Sequence, residues 1–289
     1  MDGNYSAENV YFHNDFTFTK PVGVVTIPSS GSTTVDAKGK NIKEFLASVF
    51  AKEEQPSIKS QPAVSLTVNN AGSFEVGTKT TPTFSASLSA GSYTYGPATG
   101  VVAESWSVSS TAGDSFSTNS GTCKEVEVTD GIAYSITATA THNAGVTAKT
   151  NIGNSTNVKI DAGTKTKTAG TISGYRKSFW GTTNNLDPIT SDVIRGLASS
   201  SSSALADGST FDVTLPVGAQ RVIIAYPATL RDVSSVKDDN GLQAEIVGAF
   251  KGSTVDVEGA NKYQAITYDV YVTEFAEPLT KANIYHVTI

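Results

Sequence analysis

The stretch FDVTLPVGAQRVIIAY, residues 211–226, decides the fold. Phe211, Val213 and Leu215 alternate with Asp212 and Thr214, the period-two pattern of a strand with one buried face. Pro216, Val217, Gly218 and Ala219 break that run as a turn. Val222, Ile223, Ile224, Ala225 and Tyr226 then form a continuous apolar run, rich in β-branched residues, as expected of a strand covered on both faces. No other stretch is so apolar, so the centre of the largest core is placed here. This gives a fold element and no chemistry.

Working outward, 289 residues allow two or three domains. Hydrophobic residues make up 38% and charged residues only 17%; Ser, Thr, Gly and Asn fill the difference, as in β-rich proteins with many turns. The net charge of −6 argues against nucleic acid or an anionic membrane as partner. A single cysteine, Cys123, excludes an internal disulfide and a multi-thiolate metal site. No run reaches the roughly 18 apolar residues of a membrane span. The start, MDGNYSAENVYF, has neither a basic nor an apolar region, so no signal peptide is expected.

Before the central stretch, residues 10–27 read as two short strands broken at Lys20 and Pro21. Ile42, Phe45, Leu46, Val49 and Phe50 then recur on one apolar stripe, which predicts a helix near 42–52 with Asn41 as N-cap. A helix of this length is marginal alone and must dock on something. Residues 55–61 read as a linker. A train of short strands follows at 64–68, 83–88, 102–108, 126–128 and 134–140, separated by Gly- and Asn-bearing turns, the pattern of a β-sandwich. Trp106 lies mid-strand, where immunoglobulin-like domains keep a core tryptophan. The segment from Asp130 through Tyr134 and Ile136 to Ala138 resembles the immunoglobulin strand-F motif, with Tyr134 as corner tyrosine and Ile136 in the cysteine's place.

Residues 151–171 are expected to close the sandwich and lead into the last domain. Tyr175, Phe179 and Trp180 read as an aromatic strand, and Thr190 or Ser191 caps a short helix to Leu197. The serine run 199–203 reads as a loop. Strands are expected at 233–236, 244–250, 254–257, 263–275 and 283–289. The fold class expected is therefore all-β: an N-terminal strand–helix anchor over 1–55, an immunoglobulin-like sandwich over 56–162, and a C-terminal β-sandwich with one short helix over 163–289.

The search for chemistry returns little. His13, His142 and His286 lie in three different modules, none with a second ligand at metal spacing, and read as solvated or edge residues. Asp238, Asp239, Asn240 and Gly241 resemble part of a calcium loop, but Val236 stands where an acid is needed; a tight turn explains them. Cys123 has no acid–base partner nearby and reads as an idle thiol. No carboxylate pair stands out, so neither catalytic residues nor cofactors are expected. Arg221 and Arg231 flank the central strand and read as surface ion-pair partners. Tyr93, Tyr95 and Trp180 are the candidates for stacking on sugar rings, set against the plainer reading of the Tyr93–Tyr95 hairpin as packed on its own sandwich.

Three stretches together resemble structural virion proteins of tailed phages of gut Bacteroidales, the crAss-like phages among them. They are VYFHNDFTFTKPVG with GKNIKEFLASVFAKEEQP, then SLSAGSYTYGPATGV, then LPVGAQRVIIAYPATLRDVSSVKD. The resemblance implies a head fibre, capsid decoration or tail-associated fibre on the virion surface, commonly a homotrimer. In such proteins the N-terminal part meets capsid or tail proteins and the β-domains point outward. No catalytic residue is carried over. Ile42, Phe45, Leu46, Val49 and Phe50 are the candidates for oligomer or particle contact, and host surface or mucin glycans are the candidate ligands. The alternative is a glycan-binding adhesin module of a bacterial surface protein. A depolymerase-type enzyme is disfavoured because no short coil repeat is visible.

Overall fold

The computed structural model describes residues 15–18, 33–35, 38, 39, 41, 45, 46, 53–239 and 242–289. The chain divides into two compact units: Met1–Ser65, Ala86–Ser107 and Ala138–Lys167 form the first, and Leu66–Ser85, Val108–Thr137 and Thr168–Ile289 the second. The protein is nearly all β, as the sequence pattern implies.

In the N-terminal part, β1 (Phe16–Phe18) pairs antiparallel with β2 (Thr33–Val35). Phe45 and Leu46 are helical, and the Phe45 N–H donates to the Asn41 carbonyl at 2.9 Å. Phe45 is buried, whereas Leu46 is 42% exposed. Ile42, Val49 and Phe50 lie outside the described residues.

The sandwich strands follow in chain order. They are β3 (Ile58–Ser60), β4 (Ala63–Asn69), β5 (Gly72–Glu75), β6 (Lys79–Thr80), β7 (Thr83–Ser89), β8 (Ser92–Tyr93), β9 (Gly96–Pro97), β10 (Ala103–Ser110), β11 (Ser115–Phe116), β12 (Ser120–Thr122), β13 (Val126–Glu127), β14 (Tyr134–His142) and β15 (Gly163–Tyr175). One sheet has the order β11-β10-β14-β15-β5, a second the order β12-β7-β4. β5 runs parallel to β15, so the chain's early strand closes the sheet beside its last. Within the second unit the two sheets meet through Phe84 and Phe116, edge to face at 5.0 Å, and through Gly170, where a Cβ would strike the Val68 side chain at 2.7 Å. On β14 the residues Tyr134, Ile136, Ala138, Ala140 and His142 are all buried and alternate with half-buried ones, the period-two reading at its clearest.

Five expectations for the sandwich and its flanks need correction. Residues 55–61 are no free linker, because Ile58 and Ser60 pair with Tyr93 and Ser92. Trp106 is only half-buried, on the strand face it shares with the fully buried Val108. The Tyr134 hydroxyl is buried without a hydrogen bond; it lies beside the Cys123 thiol and Ser110, so it makes no backbone corner bond. His142 is buried and caps β14 from inside, its Nδ1 3.0 Å from the Asn143 carbonyl. The aromatic strand is split: Tyr175 ends β15, and Phe179 begins the next strand.

The C-terminal elements are β16 (Phe179–Thr183), α1 (Ser191–Arg195), β17 (Ser199–Ser200), β18 (Thr210–Leu215), β19 (Arg221–Pro227), β20 (Ser235–Asp238), β21 (Lys251–Val257), β22 (Ile266–Glu274) and β23 (Asn283–Thr288). Thr190 caps α1, its hydroxyl accepting from the Val193 N–H. Five strands order as β17-β16-β19-β22-β21 and three as β18-β23-β20. Every residue of β19 is buried. Val222, Ile224 and Tyr226 face a core shared with Val213, Leu215, Val236, Tyr285 and Val287, and Ile223 and Ala225 face a second core with Phe179, Ile194, Tyr268 and Val270. The continuous apolar run is thus a strand covered on both sides, by a sheet on one face and by α1 on the other. The serine run begins as strand, since Ser199 and Ser200 pair with Trp180 and Phe179. Residues 244–250 are not a strand: Glu245 makes one bridge to Lys237, and Val247–Ala249 turn as a 3-10 helix. Asn240 and Gly241 of the expected tight turn lie outside the described residues.

Candidate binding surface

The two hairpin tyrosines of the first unit do different work. β8 is held between β3 and β9, and the positive φ of Gly91 lets the chain pass so close that a Cβ there would sit 2.4 Å from the Ser60 carbonyl. Tyr93 points inward. Its hydroxyl donates to the Val146 carbonyl at 2.9 Å and accepts from the Ile160 N–H at 3.0 Å, and its ring packs with Ala98, Val101, Ala148 and Ile160. A buried ring with a fully used hydroxyl has no face for a sugar, so Tyr93 belongs to the core and the plainer reading holds for it.

Tyr95 is half-buried, and its hydroxyl donates to the Glu54 carboxylate, a bond that raises the phenol above its ordinary pKa. The Glu54 N–H donates to Asn151 Oδ1, and Asn154 Nδ2 donates to Glu53 Oε1, both at 2.9 Å. Ser57 and Thr94 bond through hydroxyls at 2.8 Å. The chain is therefore fixed to the first unit from Glu53 onward. Tyr95, Gly96, Pro97, Val146 and Lys149 line a cleft of about 170 Å³, with Val146 and Val102 each 58% exposed. An aromatic and apolar surface rimmed by one lysine and several hydroxyls suits contact with a flat, polar-edged ligand.

Trp180 lies in the second unit, apart in sequence and unit from the tyrosines. It is half-buried and stacks on Phe211, ring centroids 4.2 Å apart. The three candidate stacking residues thus do not share one unit, and of them Tyr95 has the clearest open surroundings.

The ionisable groups serve structure. Residues 176–178 join β15 to β16, with Arg176 and Ser178 buried. Arg176 Nε donates to Asp130 at 3.0 Å and Nη1 to the Gln264 carbonyl at 2.7 Å, and its guanidinium lies over the Tyr263 ring. Arg195 Nη1 donates to Glu75 at 2.6 Å and to the Glu258 carbonyl at 2.7 Å, with Lys177 3.6 Å from the same carboxylate. Beside them the Val76 carbonyl accepts from the Ala260 N–H, and Gly77, at φ +85°, is so close that a Cβ would fall 2.0 Å from the Ala260 oxygen. Arg221 is likewise buried: it donates to Glu274 and to the carbonyls of Asn185, Leu186 and Asp187, holding that loop, so it is no surface pair. Arg231 is the exposed one, paired with Asp207.

His286 is half-exposed, its Nδ1 2.7 Å from Asp212 and its Nε2 3.7 Å from Asp239; the bond to Asp212 raises its pKa. Cys123 is a free, buried thiol, pushed up by burial. His13 lies outside the described residues. Among the described residues no group of three or more His, Cys, Asp or Glu could hold a metal ion, and no helix is long and apolar enough to cross a membrane. Sequence reading missed Arg176, Arg195 and Glu75, for which no local signal exists: the Arg195–Glu75 pair spans 120 positions.

No family model, no curated protein and no solved structure matches this chain.

Proposed function

We propose that the chain is a non-enzymatic structural protein of a phage particle, a trimeric head fibre or capsid-surface protein that displays its β-domains outward. The observation that carries this reading is the joint in the second unit. Only three residues connect β15 to β16, two of them are buried, and ion pairs of Arg176 with Asp130 and of Lys177 with Glu75 tie them down. So short and ion-paired a connection within one unit favours work by position over work by closure on a substrate. The attachment segment in this reading is the expected 1–55 cut back to 1–52, because Glu53 and Glu54 are bonded to the first unit; Phe45 is buried within the chain, so Leu46, 42% exposed, is the described stripe residue open to particle or sister chains. Burial of each large side chain on that stripe contributes roughly 1.5–3 kcal/mol, so three copies suffice for a small interface.

Deleting residues 1–52 retains Glu53 and Glu54 and their bonds to the first unit. The truncated protein is expected to stay folded and to be missing from purified particles; normal incorporation would overturn the anchoring role. Light scattering is expected to show a trimer for the full chain, and Leu46→Asp to weaken it. Cleavage of a Bacteroides capsular polysaccharide, lost on changing one carboxylate, would overturn the non-catalytic reading.

The cleft at Tyr95 favours a second reading, a glycan-binding adhesin module. Glycan-array binding that Tyr95→Ala abolishes, from a protein never found in particles, would favour it over the first.

A further inference from the structure

We propose that the outer edge of β21 is a docking site for an extended peptide segment of a partner protein, one that alternates apolar and basic residues. The edge itself is the first argument. β21 pairs with β22 in unbroken register from Lys251 to Val257, and among the described residues its other side makes no backbone bond. Two nearby edges are blunted: β17 has two residues, and β20 is covered where Ile246 N–H donates to Val236, Asp238 N–H to Ala244, and Glu245 accepts from Val236 N–H. An open strand of seven residues without proline or bulge is a template for another strand.

The two faces beside that edge state what the incoming strand must carry. On the α1 face a cleft of about 320 Å³ is lined by Ile189, Ala249 and Val272 beside Lys251 to Ser253, with Thr273 and Glu274 at its rim. On the opposite face a second cleft is lined by Asp232, Asp269 and Tyr271 beside Gly252 to Thr254. Tyr271 donates to Asp232 at 2.8 Å, and Asp269 is held above the usual carboxylate range by burial and by the Asp232 charge. A strand added here places alternate side chains on alternate faces. One set meets Ile189, Ala249 and Val272, beside a Glu274 already paired with Arg221; the other meets two carboxylates that repel each other and gain from a cation between them. Lysine or arginine at every second position answers that charge. The site does not depend on the function proposed above.

The test uses the full-length protein and a seven-residue peptide of alternating valine and lysine, with its valine–glutamate counterpart as control. Amide exchange in residues 251–255 is expected to slow several-fold with the lysine peptide alone. The double variant Asp232→Asn, Asp269→Asn is expected to lose about fivefold in affinity for that peptide, the worth of one partly exposed ion pair, while its β22 amides stay protected and so report an intact sheet. No protection by either peptide overturns the proposal, and so does equal protection by both. Edge amides already protected without peptide, in a manner that grows with protein concentration, would assign the edge to a second copy of the chain and overturn it as well.

Discussion

The two units are held together by different means. In the second, β19 drives aliphatic side chains into cores on both of its faces, and Val222, Ile223, Ile224, Ala225 and Tyr226 are all fully buried. In the first, the cluster around Tyr93 contains two alanines, Ala98 and Ala148, among its five buried members. Alanine contributes little apolar area, so there the Tyr93 hydroxyl, bonded to two backbone groups, has to supply what carbon does not. One unit depends on area and the other on stitching, which makes them separable by mutation.

The largest effect is expected at Ile224→Ala, which opens a cavity in the main core and should cost about 2–5 kcal/mol in denaturant unfolding. Gly77→Ala should come next. The backbone there is left-handed and the new Cβ meets the Ala260 oxygen, so conformational strain alone costs about 1–3 kcal/mol. Calorimetry should then resolve melting of the sandwich strands from melting of the C-terminal sheets. Tyr93→Phe orphans the Val146 carbonyl and the Ile160 N–H and should cost roughly 1–3 kcal/mol, confined to the first unit. Faster amide exchange at Ile160 with unchanged exchange in β19 would confirm the contrast, whereas a global loss would break it.

The smallest effect concerns pH. Asp212 raises the His286 pKa above 6.5, so the folded state holds this proton more tightly than the unfolded chain. The resulting stability is fully present below pH 6.5 and disappears as pH rises through the folded value. Imidazole titration by NMR should show the raised value, and Asp212→Asn should bring it back toward the ordinary one.

What the sequence discloses follows the same division. The run from Val222 to Tyr226 is legible because burial on both faces demands continuous carbon, and β14 is legible because burial on one face demands alternation. The N-capped helix at Thr190 is legible for a local reason, a hydroxyl beside the first turn. Arg221 is not, since three of its partners are backbone carbonyls whose identity leaves no trace in side chains. Tyr93 and Tyr95 share the parity of one strand, yet β8 ends at Tyr93, so the parity argument stops there and only one ring is buried. The open edge of β21 is invisible for a similar reason, because pairing belongs to neighbours and not to the strand.

Cys123 gives the sandwich a chemical clock. It is the only thiol in the chain, and it is enclosed beside the orphaned Tyr134 hydroxyl. A disulfide-exchange reagent can reach it only when the strands around β12 part, and burial disfavours the reactive thiolate until then. The colour released by such a reagent under native conditions therefore counts opening events of that region, with no label to attach and no second cysteine to confuse the count.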